Sequence, residues 1–219
     1  MQLSPNGHGF MLNSVPRLIL ITDTTRFSGE LFFSAVQQAL RGGVDTVLIR
    51  EKHLTSAKLL ALAARLRQMT QDAHARLIIH TQADIACAVD ADGIHLSSAD
   101  IAAVASIRQW MNDPGKTVSV SCHNAEELQQ ANVYGADFAL LSPVFPTASH
   151  PGAAHLGVEI FQKLASKAAL PVLALGGIDT NNCHRLEGHG MAVISALLDA
   201  KNPELAAQQL SIAATGDIG

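Results

Sequence analysis

From Arg17 onward, short aliphatic or β-branched runs alternate with stretches of helical periodicity, and this alternation limits the fold more than any other feature. The runs occupy residues 18–22, 46–51, 76–80, 93–97, 117–123, 138–144, 171–176 and 191–195. Between them, residues 30–41, 56–71 and 125–134 combine Ala, Leu, Gln and Arg with apolar positions three and four apart, which predicts amphipathic helices. The spacing, roughly 25 residues per unit, is short but workable for a βα repeat. Near-continuous apolar strands, each followed by a helix, make a parallel sheet covered on its faces. Eight such units close into a barrel. The competing open sheet would carry a GxGxxG phosphate loop after its first strand, whereas this chain reads Asp23-Thr24-Thr25-Arg26 there. The expectation is one α/β domain, a (β/α)8 TIM barrel over residues 17–214, with a flexible arm at 1–16 and a tail at 215–219.

Composition narrows the classes of function. With 48% hydrophobic residues in 219, the chain can bury a large core, which excludes global disorder. Lys and Arg number 15 against 19 Asp and Glu, a net charge of −4. That balance argues against a nucleic-acid binder, which needs a basic face, but leaves room for a local cationic pocket. The apolar runs, such as Leu18-Ile19-Leu20-Ile21, fall far short of the ~18 residues that span a bilayer, so no membrane partner is expected. The first residues lack the basic, apolar and small-residue order of a signal peptide. Cys87, Cys122 and Cys183 are odd in number and lack CxxC spacing, which suggests neither a disulfide framework nor a zinc site and fits a reducing cytoplasm.

Barrel enzymes place reactive groups where strands run into the following loops, so polar residues at strand ends carry the functional reading. Alternation puts Arg50 on the opposite face from Ile49, hence buried at the lumen mouth. Arg50 and Lys52 then hold a phosphate or carboxylate, unless Arg50 pairs with Glu51 or a neighbouring acid as scaffold. His123 ends the fifth strand, with Asn124 a helix N-cap; its imidazole suits proton transfer, or a structural hydrogen bond. Cys122 points the other way, into the core. The loop from Ser142 to Gly152 has prolines on both sides of a Thr, Ser and His tip, fitting a binding loop or an ordinary turn. Gly176-Gly177 allows close backbone approach, and Ser195 can open a short helix, so the seventh and eighth strand ends form the expected phosphate site. Asp100 reads as a first-turn helix acid more readily than as a metal ligand, because one carboxylate makes a poor magnesium site. Ten histidines without an HxxxH or HExxH pair on a predicted helix give no zinc site.

Seven segments in order resemble the thiamine phosphate synthase/TenI family: GVDTVLIREK at 43–52, ADIA at 83–86, DGIHL at 92–96, SCH at 121–123, SPVFPT at 142–147, LGGI at 175–178 and AVIS at 192–195. The resemblance covers the chain from Arg17 to Ala214 and implies one of two activities. The synthase joins a pyrimidine diphosphate to a thiazole phosphate, with Mg²⁺ helping pyrophosphate to leave. Its motifs place a Gln where this chain has Leu48, Asn-Asp where it has His80 and Thr81, and a lid Thr-x-Thr-Lys where it has Thr147, Ser149 and His150. Arg50, Lys52 and Asp100 are retained, with Asp100 a metal ligand only in a synthase-like site. The TenI branch also lacks the metal Asp, and its thiazole tautomerase uses a fifth-strand His that matches His123.

The resemblance therefore implies a metal-free, cofactor-free tautomerase in which His123 moves the proton. Arg50, Lys52, Ser121, Thr147, Ser149, Gly176, Gly177, Ile194 and Ser195 are then the ligand-binding set, and the ligand is a small phosphorylated thiazole. Two alternatives stand beside it: a divergent Mg²⁺-dependent synthase, and a regulatory or carrier protein that binds without turnover. Family members commonly pair, which makes a homodimer an expectation.

Overall fold

The computed structural model describes residues 15–27, 29–147 and 154–216. In chain order the elements are β1 Leu18–Ile21, α1 Glu30–Arg41, β2 Thr46–Ile49, α2 Ser56–Asp72, β3 Arg76–His80, α3 Ala83–Ala88, β4 Gly93–Leu96 and α4 Val104–Met111. Then follow β5 Thr117–Cys122, α5 Ala125–Val133, β6 Phe138–Leu141, α6 Gly157–Lys167, β7 Val172–Leu175, β8 Met191–Val193, α7 Ser195–Leu198 and α8 Pro203–Thr215. Short 3₁₀ segments at Ser98–Ala103 and Cys183–Leu186 lead into α4 and precede β8. All neighbouring strands pair parallel, and β8 pairs with β1 through Ala192 and Ile19, closing an eight-stranded barrel.

Period-two alternation sorts each strand between two cores. Ile19, Ile21, Leu48, Ile78, Phe138, Leu140, Leu173 and Ala192 fill the lumen. Leu18, Leu20, Val47, Ile49, Leu77 and Ile79 face outward and pack against the helices, with Phe32, Leu66 and Phe161 among their partners. Burial on both faces explains why the strands read as unbroken apolar runs, and each fully buried Leu, Ile or Phe contributes about 1.5–3 kcal/mol. The lumen of β3 to β5 is the exception, because Arg76, His80, His95 and Ser119 are all buried there.

Local signals set the helix ends. Asn124 caps α5 by accepting the Glu127 N–H at 2.9 Å, while Glu127 accepts the His123 N–H at 2.7 Å. Asn202 caps α8, Pro203 occupies its first turn, and Gly216 stops it in a left-handed conformation at φ 69°. The helix thus carries ordered structure to Thr215, past the expected end of the barrel at residue 214. Residues 1–14 of the expected arm and 217–219 of the tail lie outside the described residues.

Several strands stop short of their apolar runs. β2 ends at Ile49 and β5 at Cys122, because the next N–H groups leave the ladder for side chains: Arg50 donates to Thr22 Oγ1 at 3.1 Å and His123 to Glu127 Oε2. These short strands leave a rim of irregular backbone at the C-terminal mouth of the barrel, and every described candidate residue lies on or just below it.

Candidate active site

The β2 end corrects one expectation. Arg50 is exposed rather than buried, and Glu51 is the enclosed residue at 5% exposure. The ladder stops before Arg50, so its side chain leaves the lumen at the rim. Glu51 instead ties down the loop after β1, accepting the Thr24 N–H at 3.0 Å and its hydroxyl at 2.8 Å. The scaffold pairing of Arg50 with Glu51 does not form; among the described residues neither Arg50 nor Lys52 enters a salt bridge. Both cations act on His80 from the end of the neighbouring strand, and Asp100 acts on it from the turn after β4.

His123 is exposed at the end of β5. Its Nδ1 lies 2.8 Å from the Ser142 carbonyl oxygen, which can only accept, so Nδ1 carries the hydrogen and the neutral ring keeps its lone pair on Nε2. Glu127 anchors the backbone on one side and Ser142 the ring on the other. Cys122 is fully buried in the outer core, as alternation requires, and burial with the nearby Glu127 charge pushes its thiol up to about 12.

A polar layer sits just below, in which sequence reasoning singled out Ser121 but gave His95 no role. His95, 2% exposed, has Nδ1 at 2.9 Å from Ser119 Oγ and Nε2 at 2.9 Å from Ser121 Oγ. His80 stands beside it with ring centroids 5.9 Å apart, and its Nδ1 meets the His95 carbonyl at 3.1 Å. Burial lowers both rings, to about 4 for His80 and about 3 for His95; Arg50 and Lys52 add to the first, His80 and Arg50 to the second. Both are neutral at pH 7. The available signal was parity, since His95 falls on the lumen side of an otherwise apolar strand.

At the opposite side of the mouth, Gly176 and Gly177 turn with φ 99° and φ 67°. A Cβ at Gly177 would meet the Pro146 carbonyl oxygen at 2.3 Å, so only glycine fits. The carbonyls of the turn are occupied: Gly176 accepts from Phe145 N at 3.0 Å and Gly177 from Asn182 Nδ2 at 2.8 Å, a clamp that the sequence did not reveal. None of the backbone hydrogen bonds outside helices and strands uses the N–H of Gly176, Gly177, Ile194 or Ser195. Ser195 opens α7 as expected, with Ile194 at its N-cap. Thr147 is half-buried beyond Phe145, and Ser149 and His150 lie outside the described residues.

The donor set for a magnesium ion is poor. Among the described residues, no three His, Cys, Asp or Glu side chains gather to hold a metal. Asp100 accepts from the Ser97 hydroxyl as a turn acid, and Thr81 gives its hydroxyl to the His80 carbonyl at 2.9 Å. A hard cation wants several oxygens, and neutral imidazoles do not supply them. These residues do not fit the two-carboxylate site that the synthase motif describes.

Residues 18–197 match the family model described as thiamine monophosphate synthase. The chain belongs to that family. Thiamine-phosphate synthases of Chlorobium luteolum and Methanobrevibacter smithii are 38% and 32% identical to it, aligning over 89% and 88% of this chain and 91% and 92% of theirs. Thiamine phosphate pyrophosphorylase from Pyrococcus furiosus superposes with a TM-score of 0.80 at 30% identity, covering 93% of this chain and 97% of that one. A 3-keto-L-gulonate-6-phosphate decarboxylase from Vibrio cholerae, at 15% identity and a TM-score of 0.66, shares the barrel alone. In the described part of the chain no helix is long and apolar enough to cross a membrane.

Proposed function

We propose that this member of the thiamine monophosphate synthase family is a transferase that joins a pyrimidine diphosphate to a thiazole phosphate. One observation supports the reading: groups able to meet an anion stand at two separate places on the rim. Arg50 and Lys52 stand outside any described salt bridge at the β2 end, and four N–H groups at the β7 and β8 ends make none of the backbone bonds outside helices and strands. The amides of Gly176, Gly177, Ile194 and Ser195 take the thiazole phosphate, together with the Ser195 hydroxyl. Arg50 and Lys52 take the diphosphate and meet the charge that grows on pyrophosphate as it leaves. The thiazole nitrogen lone pair forms the new C–N bond as the C–O bond to the diphosphate breaks and its electron pair departs with pyrophosphate. No step here runs through a metal held by the protein.

The names of the relatives favour this reading over the tautomerase that His123 suggested. The test incubates the pure protein with both substrates, with and without added Mg²⁺, and assays thiamine phosphate and pyrophosphate. Formation of both products in equal amounts supports the transferase, and their absence defeats it.

A second reading keeps one specific observation in its favour. Ser142 fixes the His123 ring through Nδ1, which leaves Nε2 as the nitrogen free to exchange a proton, at a rim with a poor metal donor set. In that reading Arg50 and Lys52 hold a carboxylate and His123 transfers the proton that aromatises a thiazole phosphate. Conversion of the non-aromatic tautomer by the wild type, lost about a hundredfold or more in His123→Asn, would establish it.

A further inference from the structure

In the closed barrel β1 lies between β2 and β8, so the loop after β1 separates the cations at the β2 end from the amides at the β8 end. Side chains tie that loop to both neighbours. Toward β2, the Glu51 carboxylate, its side chain 1% exposed, accepts the Thr24 N–H at 3.0 Å and the Thr24 hydroxyl at 2.8 Å. Toward β8, Arg26 Nη1 donates to Asp199 Oδ2 at 2.7 Å. Asp199 ends the turn that Ser195 opens, and its N–H donates to the Ser195 carbonyl at 2.9 Å. Between the two ties the loop is bonded to itself: Asp23 accepts the Thr25 N–H at 3.1 Å and Arg26 Nε at 2.9 Å, and the Arg26 N–H donates to the Asp23 carbonyl at 3.2 Å.

A short loop closed on itself and fastened on both sides is a spacer. Glu51 stands between Arg50 and Lys52, so its tie fixes the backbone that carries both exposed cations. α7 has four residues, too few to hold its place by its own hydrogen bonds. Buried Leu197 and Leu198 seat it in the core, and Asp199 fastens its far end to Arg26. The Arg26 guanidinium meets two carboxylates, Asp23 and Asp199, which satisfy its charge within the protein. We infer that Arg26 is a positioning residue: through Asp199 on one side and the Glu51-bound loop on the other, it sets the separation between the diphosphate at the β2 end and the phosphate at the β8 end. This rests on the transferase reading. Two substrates held from different sides of a mouth react only when the attacking nitrogen lines up with the carbon, and about 1 Å of misplacement can cost about a hundredfold in rate. Bond formation therefore depends on Arg26, although Arg26 touches neither substrate.

Two measurements on the full chain test the inference. Calorimetric titration reads the affinities for thiazole phosphate and for inorganic pyrophosphate, each alone. Rapid quench reads the single-turnover rate of thiamine phosphate formation with both substrates saturating. Arg26→Ala removes only part-exposed ion pairs, so the variant folds. Its two affinities should stay within about threefold of wild type while the single-turnover rate falls by more than about fivefold. Arg26→Lys, which keeps a cation for Asp199, should recover part of the rate. The double variant Arg26→Ala with Asp199→Asn should be no slower than Arg26→Ala, because both changes cut the same tie. A rate in Arg26→Ala that stays within about fivefold of wild type, or an affinity lost by as much as the rate, overturns the role of Arg26 and leaves the transferase reading standing. A wild type that forms no thiamine phosphate overturns the transferase reading and this inference together.

Discussion

His95 Nε2 and Ser121 Oγ lie 2.9 Å apart across neighbouring strands in the lumen, one layer below the rim. On its far side the ring meets Ser119 Oγ at 2.9 Å, so each nitrogen of the neutral imidazole faces a hydroxyl, one hydroxyl accepting from the N–H and the other donating to the bare nitrogen. His80 and His123 each turn Nδ1 to a carbonyl, so that in the neutral form each ring leaves Nε2 as its bare nitrogen. The donors and cations lie elsewhere on the rim, at β2, β7 and β8.

Stability should fall as the solution is acidified from neutrality. His80 and His95 have native pKa values of about 4 and about 3, below the ordinary 6.5, so the unfolded chain binds more protons than the native one once pH drops through 6.5. Each histidine thus costs stability progressively down to its native value. Thermal melts at pH 7 and pH 5 should differ by roughly 5 °C or more, and His95→Gln should flatten the difference while lowering the pH 7 melt. Equal slopes in the two proteins would contradict a buried neutral His95.

Gly177→Ala should harm both fold and binding. The new Cβ meets a carbonyl oxygen at 2.3 Å, and the residue must hold φ 67°. A loss of about 1–3 kcal/mol is expected in urea unfolding. Thiazole phosphate affinity should drop further than stability, because the displaced turn carries two of the four amides. Retained affinity would remove this turn from the phosphate grip.

Arg50→Ala and Lys52→Ala should do the opposite. Both side chains are exposed and enter no salt bridge among the described residues, so the unfolding free energy should move by no more than ~0.5 kcal/mol. Diphosphate affinity should fall about tenfold for each, since each removes a charge-assisted contact. An affinity unchanged in both variants would place the diphosphate elsewhere.

The three thiols should separate by reactivity. Cys87 is exposed, whereas Cys122 and Cys183 are buried and both held above the ordinary thiol range by burial. A disulfide reagent at pH 8 should titrate one thiol quickly and the other two only after denaturant is added. Three fast thiols would mean that the core around β5 opens readily.

The barrel was legible because it is written in local periodicity. Apolar runs with strand length, helical stripes between them and a missing glycine fingerprint led to eight βα units, and α1 spans the residues that its stripe predicts. Cys122 against His123, Asn124 as a cap and Ser195 as a helix start also follow from rules that act over one to four residues. The Arg50 expectation failed on such a rule. Alternation extends a face along a strand but cannot say where the ladder stops.

What a sequence of this kind determines by itself is therefore the architecture and the roster of groups at the strand ends. The hydrogen-bond polarity of the mouth was decided only by tertiary structure: His80 is oriented by a carbonyl 15 residues away, His123 by one 19 away, and His95 by hydroxyls 24 and 26 away. An imidazole has two nitrogens and one hydrogen in its neutral form. Which of them faces the ligand is settled by the partner that the other one meets, and closing the barrel is what brings those partners within reach.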